Sequence, residues 1–256
     1  MIRLGLVGCG KVGSAIATRL GILEEDYELF VYDRHPDRVD KLCKMDCHCT
    51  ARSSVEAIRV EEPAYLIEAA SREFVARVAP DLLSKGLSVI CLSSGALSDA
   101  SVRQQIMDAA RAGGSKCFVP VAPPATDAVT VLSLTGLSSA KYRSARGIGH
   151  PRAEPGREGI YFSGSVHQAM AQYPHALNPA AVLAEAANGY DATLTEVAFE
   201  SSIEGYEFRT DACSDVGNVR ATLSGPVNGD WTFSTWAVFS TIALLRKLMS
   251  PLVIGP

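Results

Sequence analysis

The chain has 256 residues, of which 47% are hydrophobic and 20% charged, the make-up of an ordinary globular protein rather than a disordered, collagen-like or coiled-coil one. Its 24 basic and 28 acidic side chains leave a net charge of −4 and a pI near 5.8. That balance argues against a nucleic-acid partner, whose phosphates call for a basic surface.

Residues 2–7 form a short apolar run that ends in glycines. Val12, Ile16 and Leu20 then recur every four residues, one face of a helix. Residues 28–32 are the next apolar run, closed by Asp33, and His35-Pro36 opens a polar helix toward Lys44. Runs 64–70 and 87–92 predict two more strands, with a helix-like segment 72–85 between them. A helix over 101–112 stops at Gly113-Gly114, and 117–121 predicts a sixth short strand. Strands alternating with helices indicate right-handed crossovers and a parallel sheet of the Rossmann type. Beyond residue 139 the pattern changes. Thr193, Thr195, Val197 and Phe199 alternate with other residues. So do Tyr206, Phe208, Thr210 and Ala212, and then Val219, Ala221 and Leu223. This period of two predicts an antiparallel sheet in a second, α+β domain. The expected division is a Rossmann-type α/β domain over 1–120 and an α+β domain over 121–234. The apolar helix at 235–249 is expected to pack back on the first.

Gly8-Cys9-Gly10-Lys11-Val12-Gly13 fits G-x-G-x-x-G, and it lies between a predicted strand and an amphipathic helix, the context a dinucleotide site needs. Gly8 permits the tight turn, Gly10 leaves room for a pyrophosphate, and Gly13 lets the helix approach the strand. The amides of Lys11 and Val12 open that helix, whose N-terminus attracts phosphate. Asp33 stands about 20 residues beyond Gly13, where an acid accepts from the ribose hydroxyls. Arg34 follows it and is suited to a 2′-phosphate, so NAD or NADP is expected.

Further motifs carry a resemblance. Ile67-Glu68-Ala69-Ala70-Ser71, then Leu92-Ser93-Ser94-Gly95-Ala96-Leu97-Ser98-Asp99, then Phe162-Ser163-Gly164-Ser165 with Gln168-Ala169-Met170, Tyr173-Pro174-His175-Ala176-Leu177-Asn178 and the terminal Ser240-Thr241-Ile242-Ala243-Leu244-Leu245 together resemble the aspartate dehydrogenase family. That resemblance implies an oligomeric, nicotinamide-dependent oxidoreductase that interconverts an amino acid and its imine, and the free strand edges of the second domain with the apolar tail Leu252, Val253 and Ile254 point to a homodimer. It implies cofactor contacts at Ala70, Ser71, Ala122 and Asn178, the last at the nicotinamide end, where an amide can both donate and accept. Asn178 also reads as a helix cap before Pro179.

The chain departs from the family pattern on the substrate side. The stretch 204–210, where the family carries its proposed catalytic histidine, has none. Asp230-Trp231-Thr232-Phe233-Ser234 replaces Asn-Pro-Lys-Thr-Ser, Pro120-Val121 replaces Ser-Gly, and His150-Pro151 replaces Lys-Pro. Proton-carrier candidates are therefore His175 and Tyr206, with Glu207 beside the latter. Lys141, Arg143, His150 and Arg209 are candidate cations for a substrate carboxylate. Two alternatives stay open: a reductase of some other imine or an aldehyde, and a dinucleotide-binding protein without activity. The cluster Cys43, Cys47, His48 and Cys49 lacks the second ligand pair of a zinc site, so no metal is expected, and the seven cysteines read as reduced thiols of a cytoplasmic protein. No apolar run reaches the ~18 residues of a membrane span, and the N-terminus has no secretory-signal pattern.

Overall fold

The computed structural model describes residues 1–45, 48–120, 123–148, 158–173, 177–226 and 235–254. The chain divides into two compact units: Met1–Pro120 with Thr235–Ile254, and Val121–Ser234.

The first unit is built on a six-stranded parallel sheet. Its strands are β1 (Ile2–Val7), β2 (Tyr27–Tyr32), β3 (Cys49–Ala51), β4 (Tyr65–Glu68), β5 (Val89–Cys91) and β6 (Cys117–Phe118), in the order β3-β2-β1-β4-β5-β6. The order reverses direction at β1, and the open crevice of such a sheet lies at the carboxyl ends of the strands flanking that point. β1 is central, and its Leu4 and Leu6 are fully buried. The helices are α1 (Lys11–Ala17), α2 (Pro36–Met45), α3 (Val55–Val60), α4 (Arg72–Arg77), α5 (Ala79–Ser84) and α6 (Ala100–Gly113). The single helical segment expected over 72–85 is two helices. Pro80 lacks an N–H and crowds the preceding turn, so the ladder breaks at Val78. Asp99 caps α6 by accepting from the amides of Ser101 and Val102.

Cys43, in α2, and Cys49, at the start of β3, form a disulfide, which corrects the expectation of reduced thiols throughout. Cys9, Cys91, Cys117 and Cys213 are free thiols, and Cys47 lies outside the described residues.

The second unit contains α7 (Thr126–Ser133), β7 (Leu137–Ile148), β8 (Gly159–Ser165), α8 (Val166–Gln172), α9 (Asn178–Ala186), β9 (Thr193–Glu204), β10 (Tyr206–Ser214) and β11 (Gly217–Gly225). Its sheet runs β11-β10-β7-β9-β8. The sheet is mixed, not purely antiparallel, because β7 and β9 pair in parallel. A parallel pair needs a long crossover, and β8, α8 and α9 supply it. Tyr142, Thr195, Val197, Thr210 and Ala212 are buried on the sheet. A capping box closes α8: Ser165 Oγ accepts from the Gln168 amide, and Gln168 Oε1 accepts from the Ser165 amide.

The last helix, α10 (Thr235–Met249), belongs to the first unit and packs on α1 with its buried residues Val238, Ile242 and Leu245. Among the described residues no helix is long and apolar enough to cross a membrane.

Candidate dinucleotide-binding site

The site is assembled where β1, β2 and β4 end. The chain leaves β1 at Gly8 with φ +96°, a conformation that side-chain-bearing residues rarely adopt. A Cβ there would also stand 2.4 Å from the Ala69 carbonyl oxygen, so the turn is pressed against the chain leaving β4. A Cβ on Gly13 would stand 1.8 Å from the Gly8 carbonyl oxygen, so α1 rests directly on its own loop. At Gly10 a Cβ would meet nothing within 4 Å. Gly10 caps α1 without a side chain, and the first helical bond runs from Ser14 N to Gly10 O. The backbone at residues 10–13 thus presents an open, positively polarised helix start, with room for a phosphate beside Gly10. The residues fit a pyrophosphate.

Asp33 follows β2, and its side chain is only 6% exposed. Its Oδ2 accepts from the Cys9 amide at 2.8 Å, and its Oδ1 accepts from the His35 amide at 2.9 Å. Arg38 Nη1 lies 3.8 Å from Oδ2. The acid assigned from sequence to a ribose therefore also clamps the glycine loop. Each carboxylate oxygen can accept more than one bond, so both tasks are compatible. Arg34 is exposed beside it. Burial, with the Asp33 charge second, pushes the Cys9 thiol up to about 12.

Ala70 and Ser71 are exposed after β4, and Ser71 caps α4 by accepting from the Phe74 amide. Beneath them is a residue that no site assignment included. Glu68 is fully buried, and its Oε1 accepts from the Ala70 amide at 2.8 Å, the Ser71 amide at 2.9 Å and Ser93 Oγ at 2.8 Å. Its Oε2 accepts from the Ser93 amide at 2.9 Å. Burial raises its carboxyl above the usual range, opposed by these donors. The buried Cys91 thiol is held well above its ordinary range, first by its bond to Cys117, then by burial and the charge of Glu68. A glutamate ending an apolar strand is the signal that could have marked Glu68, since a carboxylate is rarely buried unpaired.

In the second unit, Asn178 is the first residue of α9, and Leu177 takes the cap position without a side-chain bond. The helix-cap reading of Asn178 is thereby corrected. Tyr206 stacks at 4.9 Å on Phe208, and its hydroxyl lies over Gly225, where a Cβ would be 3.0 Å from it. The three described candidate cations all have carboxylate partners. Arg143 pairs with Glu196, Glu200 and Glu207, Lys141 with Glu196 at 2.6 Å, and Arg209 with Asp211 at 3.4 Å. Ala122, His150 and His175 lie outside the described residues.

Residues 8–120 match the family model described as homoserine dehydrogenase, NAD binding domain, and residues 127–248 match the one described as aspartate dehydrogenase, C-terminal. The chain is 29% identical to L-aspartate dehydrogenase of Methanospirillum hungatei, with 100% of both chains covered. It is 27% identical to L-aspartate dehydrogenase 1 of Bordetella pertussis over 88% of this chain and 87% of that one. Its fold is shared with the crystal structure of aspartate dehydrogenase from Thermotoga maritima, at a TM-score of 0.80, 17% identity and full coverage of both chains.

Proposed function

The chain belongs to the L-aspartate dehydrogenase family and is an oxidoreductase that uses NAD or NADP, and from that premise we propose that it interconverts an amino acid, aspartate or a relative, and its imine. The observation that carries this reading is the match of residues 127–248. Glycine-loop units serve many oxidoreductases, whereas the second unit bears on the substrate.

The first unit supplies orientation. The loop 8–13 and the start of α1 would hold the pyrophosphate, with Lys11, Val12 and Gly13 contributing backbone amides. Asp33 would accept from the adenosine ribose. Arg34 and Arg38 flank it, and a cation beside the ribose is what a 2′-phosphate requires. Ala70 and Ser71 would border the dinucleotide. The family resemblance gives Ala122 a main-chain contact and Asn178 the carboxamide. When bound, the nicotinamide accepts a hydride from the amine carbon or returns it to the imine.

An ammonium group must lose a proton before its carbon can give up a hydride. His175 and Tyr206 are the proposed carriers of that proton, because 204–210 has no histidine. The exposed apolar tail Leu252, Val253 and Ile254 supports a homodimer, which sedimentation of the purified protein tests.

The pairing of Lys141, Arg143 and Arg209 with carboxylates favours one second reading. A substrate with a single carboxylate, or another imine or aldehyde, asks for fewer cations than aspartate does. Both readings are tested by following reduced-nicotinamide absorbance with NAD and NADP against a panel of amino acids. Aspartate turnover is the expected result. Turnover of other amino acids alone moves the assignment to the second reading, and coenzyme binding without turnover on the whole panel overturns both. Among variants, Tyr206→Phe and His175→Ala are expected to displace a limb of the pH–rate profile. Unchanged profiles in both would remove the two residues from the mechanism.

A further inference from the structure

We infer that Glu68 is a positioning residue for the dinucleotide, its buried carboxylate setting the two loops that follow β4 and β5 at one height beside the glycine loop. The inference rests on the coenzyme reading above and adds to it a residue that touches no coenzyme.

Glu68 is the last residue of β4 and sits opposite Val7 of β1 and Cys91 of β5 in register. It stands at the junction of three strand ends. Its side chain satisfies three backbone amides and one hydroxyl within 2.8–2.9 Å. Two of those amides belong to the loop entering α4, while the third amide and the hydroxyl come from the loop after β5. The next residue, Ala69, donates its amide to the Val7 carbonyl at 2.8 Å and presents its own carbonyl to the turn at Gly8. One acid therefore ties the loop 70–71 to the loop at Ser93, and its neighbour in sequence ties both to the glycine turn.

Helix capping alone does not explain this expense. Ser71 already caps α4 with its own side chain. Burying a carboxylate is costly, and an apolar residue at the end of a buried strand avoids that cost. What a carboxylate does that an apolar residue cannot is accept from two loops at once, with both oxygens, in a fixed plane. The exposed faces of Ala70 and Ser71, above the carboxylate, are the ones assigned to the coenzyme. Their placement is therefore set from below by Glu68.

A glutamine is nearly the same shape but brings an N–H₂ in place of one oxygen. In one amide orientation that group faces the Ser93 amide, and in the other it faces those of Ala70 and Ser71. Either way one loop loses its anchor. The test is titration of the full-length protein with NADH and NADPH, followed by reduced-nicotinamide fluorescence, with circular dichroism and thermal melting of each variant. Glu68→Gln, shown to be folded, is expected to weaken coenzyme binding tenfold or more. Ser93→Ala, which removes only the hydroxyl donor, should weaken it about two- to fivefold. The double variant should bind no more weakly than Glu68→Gln alone, because the hydroxyl acts through the carboxylate. A purely structural role would lower the melting temperature and leave the coenzyme Kd unmoved at temperatures where the variant is folded.

A folded Glu68→Gln that binds within twofold of wild type overturns the inference, as do effects that add in the double variant. Should Glu68→Gln fail to fold, Ser93→Ala decides, and an unchanged Kd there overturns it. Wild-type protein that is folded yet binds neither coenzyme overturns the coenzyme reading itself, and this inference with it.

Discussion

Gly10 and Gly13 carry the same motif but answer to different forces. At Gly13 an added methyl meets the Gly8 carbonyl, so Gly13→Ala must shift α1 off its loop, an overpacking that costs about 1–3 kcal/mol or more. At Gly10 there is open space, so Gly10→Ala should melt within ~2 °C of wild type. It should nonetheless bind NADH about tenfold more weakly or worse, a loss of ~1.4 kcal/mol, because the methyl occupies the phosphate's approach. Melting curves and NADH titration of the pair check this, and a Gly10→Ala that binds normally refutes it. Cys9, just before Gly10, has its thiol pushed up to about 12, through burial first and Asp33 second. Near neutral pH the thiol therefore stays protonated and is a poor nucleophile. Mass spectrometry after iodoacetamide treatment should find Cys9 unmodified while half-buried Cys213 reacts. Asp33→Asn should leave Cys9 slow, because burial is the larger cause. At this scale the sequence showed the glycines and the acid, because spacing alone places them. It did not show that Asp33 holds the Cys9 amide, since a carboxylate 24 positions away declares its partners only after the strands are laid side by side.

Elements were legible where periodicity was clean. The run 235–249 reads as a helix and is one, and the strands after residue 193 alternate as half-buried strands do. The direction of β9 against β7 was not legible, because the side-chain period is two in parallel and antiparallel sheets alike. The start of helix α9 was legible at Asn178-Pro179, but its extent was not, because residues 180–184 are buried without a polar face and no stripe marks its turns. The break between α4 and α5 was present in the sequence as Pro80 and needed only the proline rule. Leu245 of α10 is fully buried. Leu245→Ala should destabilise the first unit by about 2–5 kcal/mol and lower the denaturant midpoint monitored by coenzyme binding. An unchanged midpoint would show that α10 adds little to the unit.

At the scale of the whole molecule, the two units carry different amounts of information about function. The first declares its ligand through geometry that any dinucleotide enforces. The second declares kinship over residues 127–248, yet Lys141, Arg143 and Arg209 are already engaged with its own carboxylates. Replacing Glu196 with Gln should therefore free part of the charge on Lys141 and Arg143. Glu196 is 13% and Arg143 15% exposed, and removing one partner of a largely buried pair is costly, so the melting temperature is expected to fall by about 4 °C or more. The sensitive measurement is the KM for an acidic amino acid, which should fall if those cations are within reach of substrate and stay constant if they serve only the sheet.

Because α10 completes the unit that begins at Met1, that unit is built from two stretches of sequence with the residues of the other unit between them. A ribosome must translate past residue 235 before the coenzyme-binding half acquires its last piece. A premature stop anywhere in the intervening codons yields a polypeptide with the glycine loop but without the helix that backs it. Truncation after residue 120 should for the same reason leave the coenzyme-binding body incomplete, whereas a graft that splices residue 120 to residue 235 retains every residue of it.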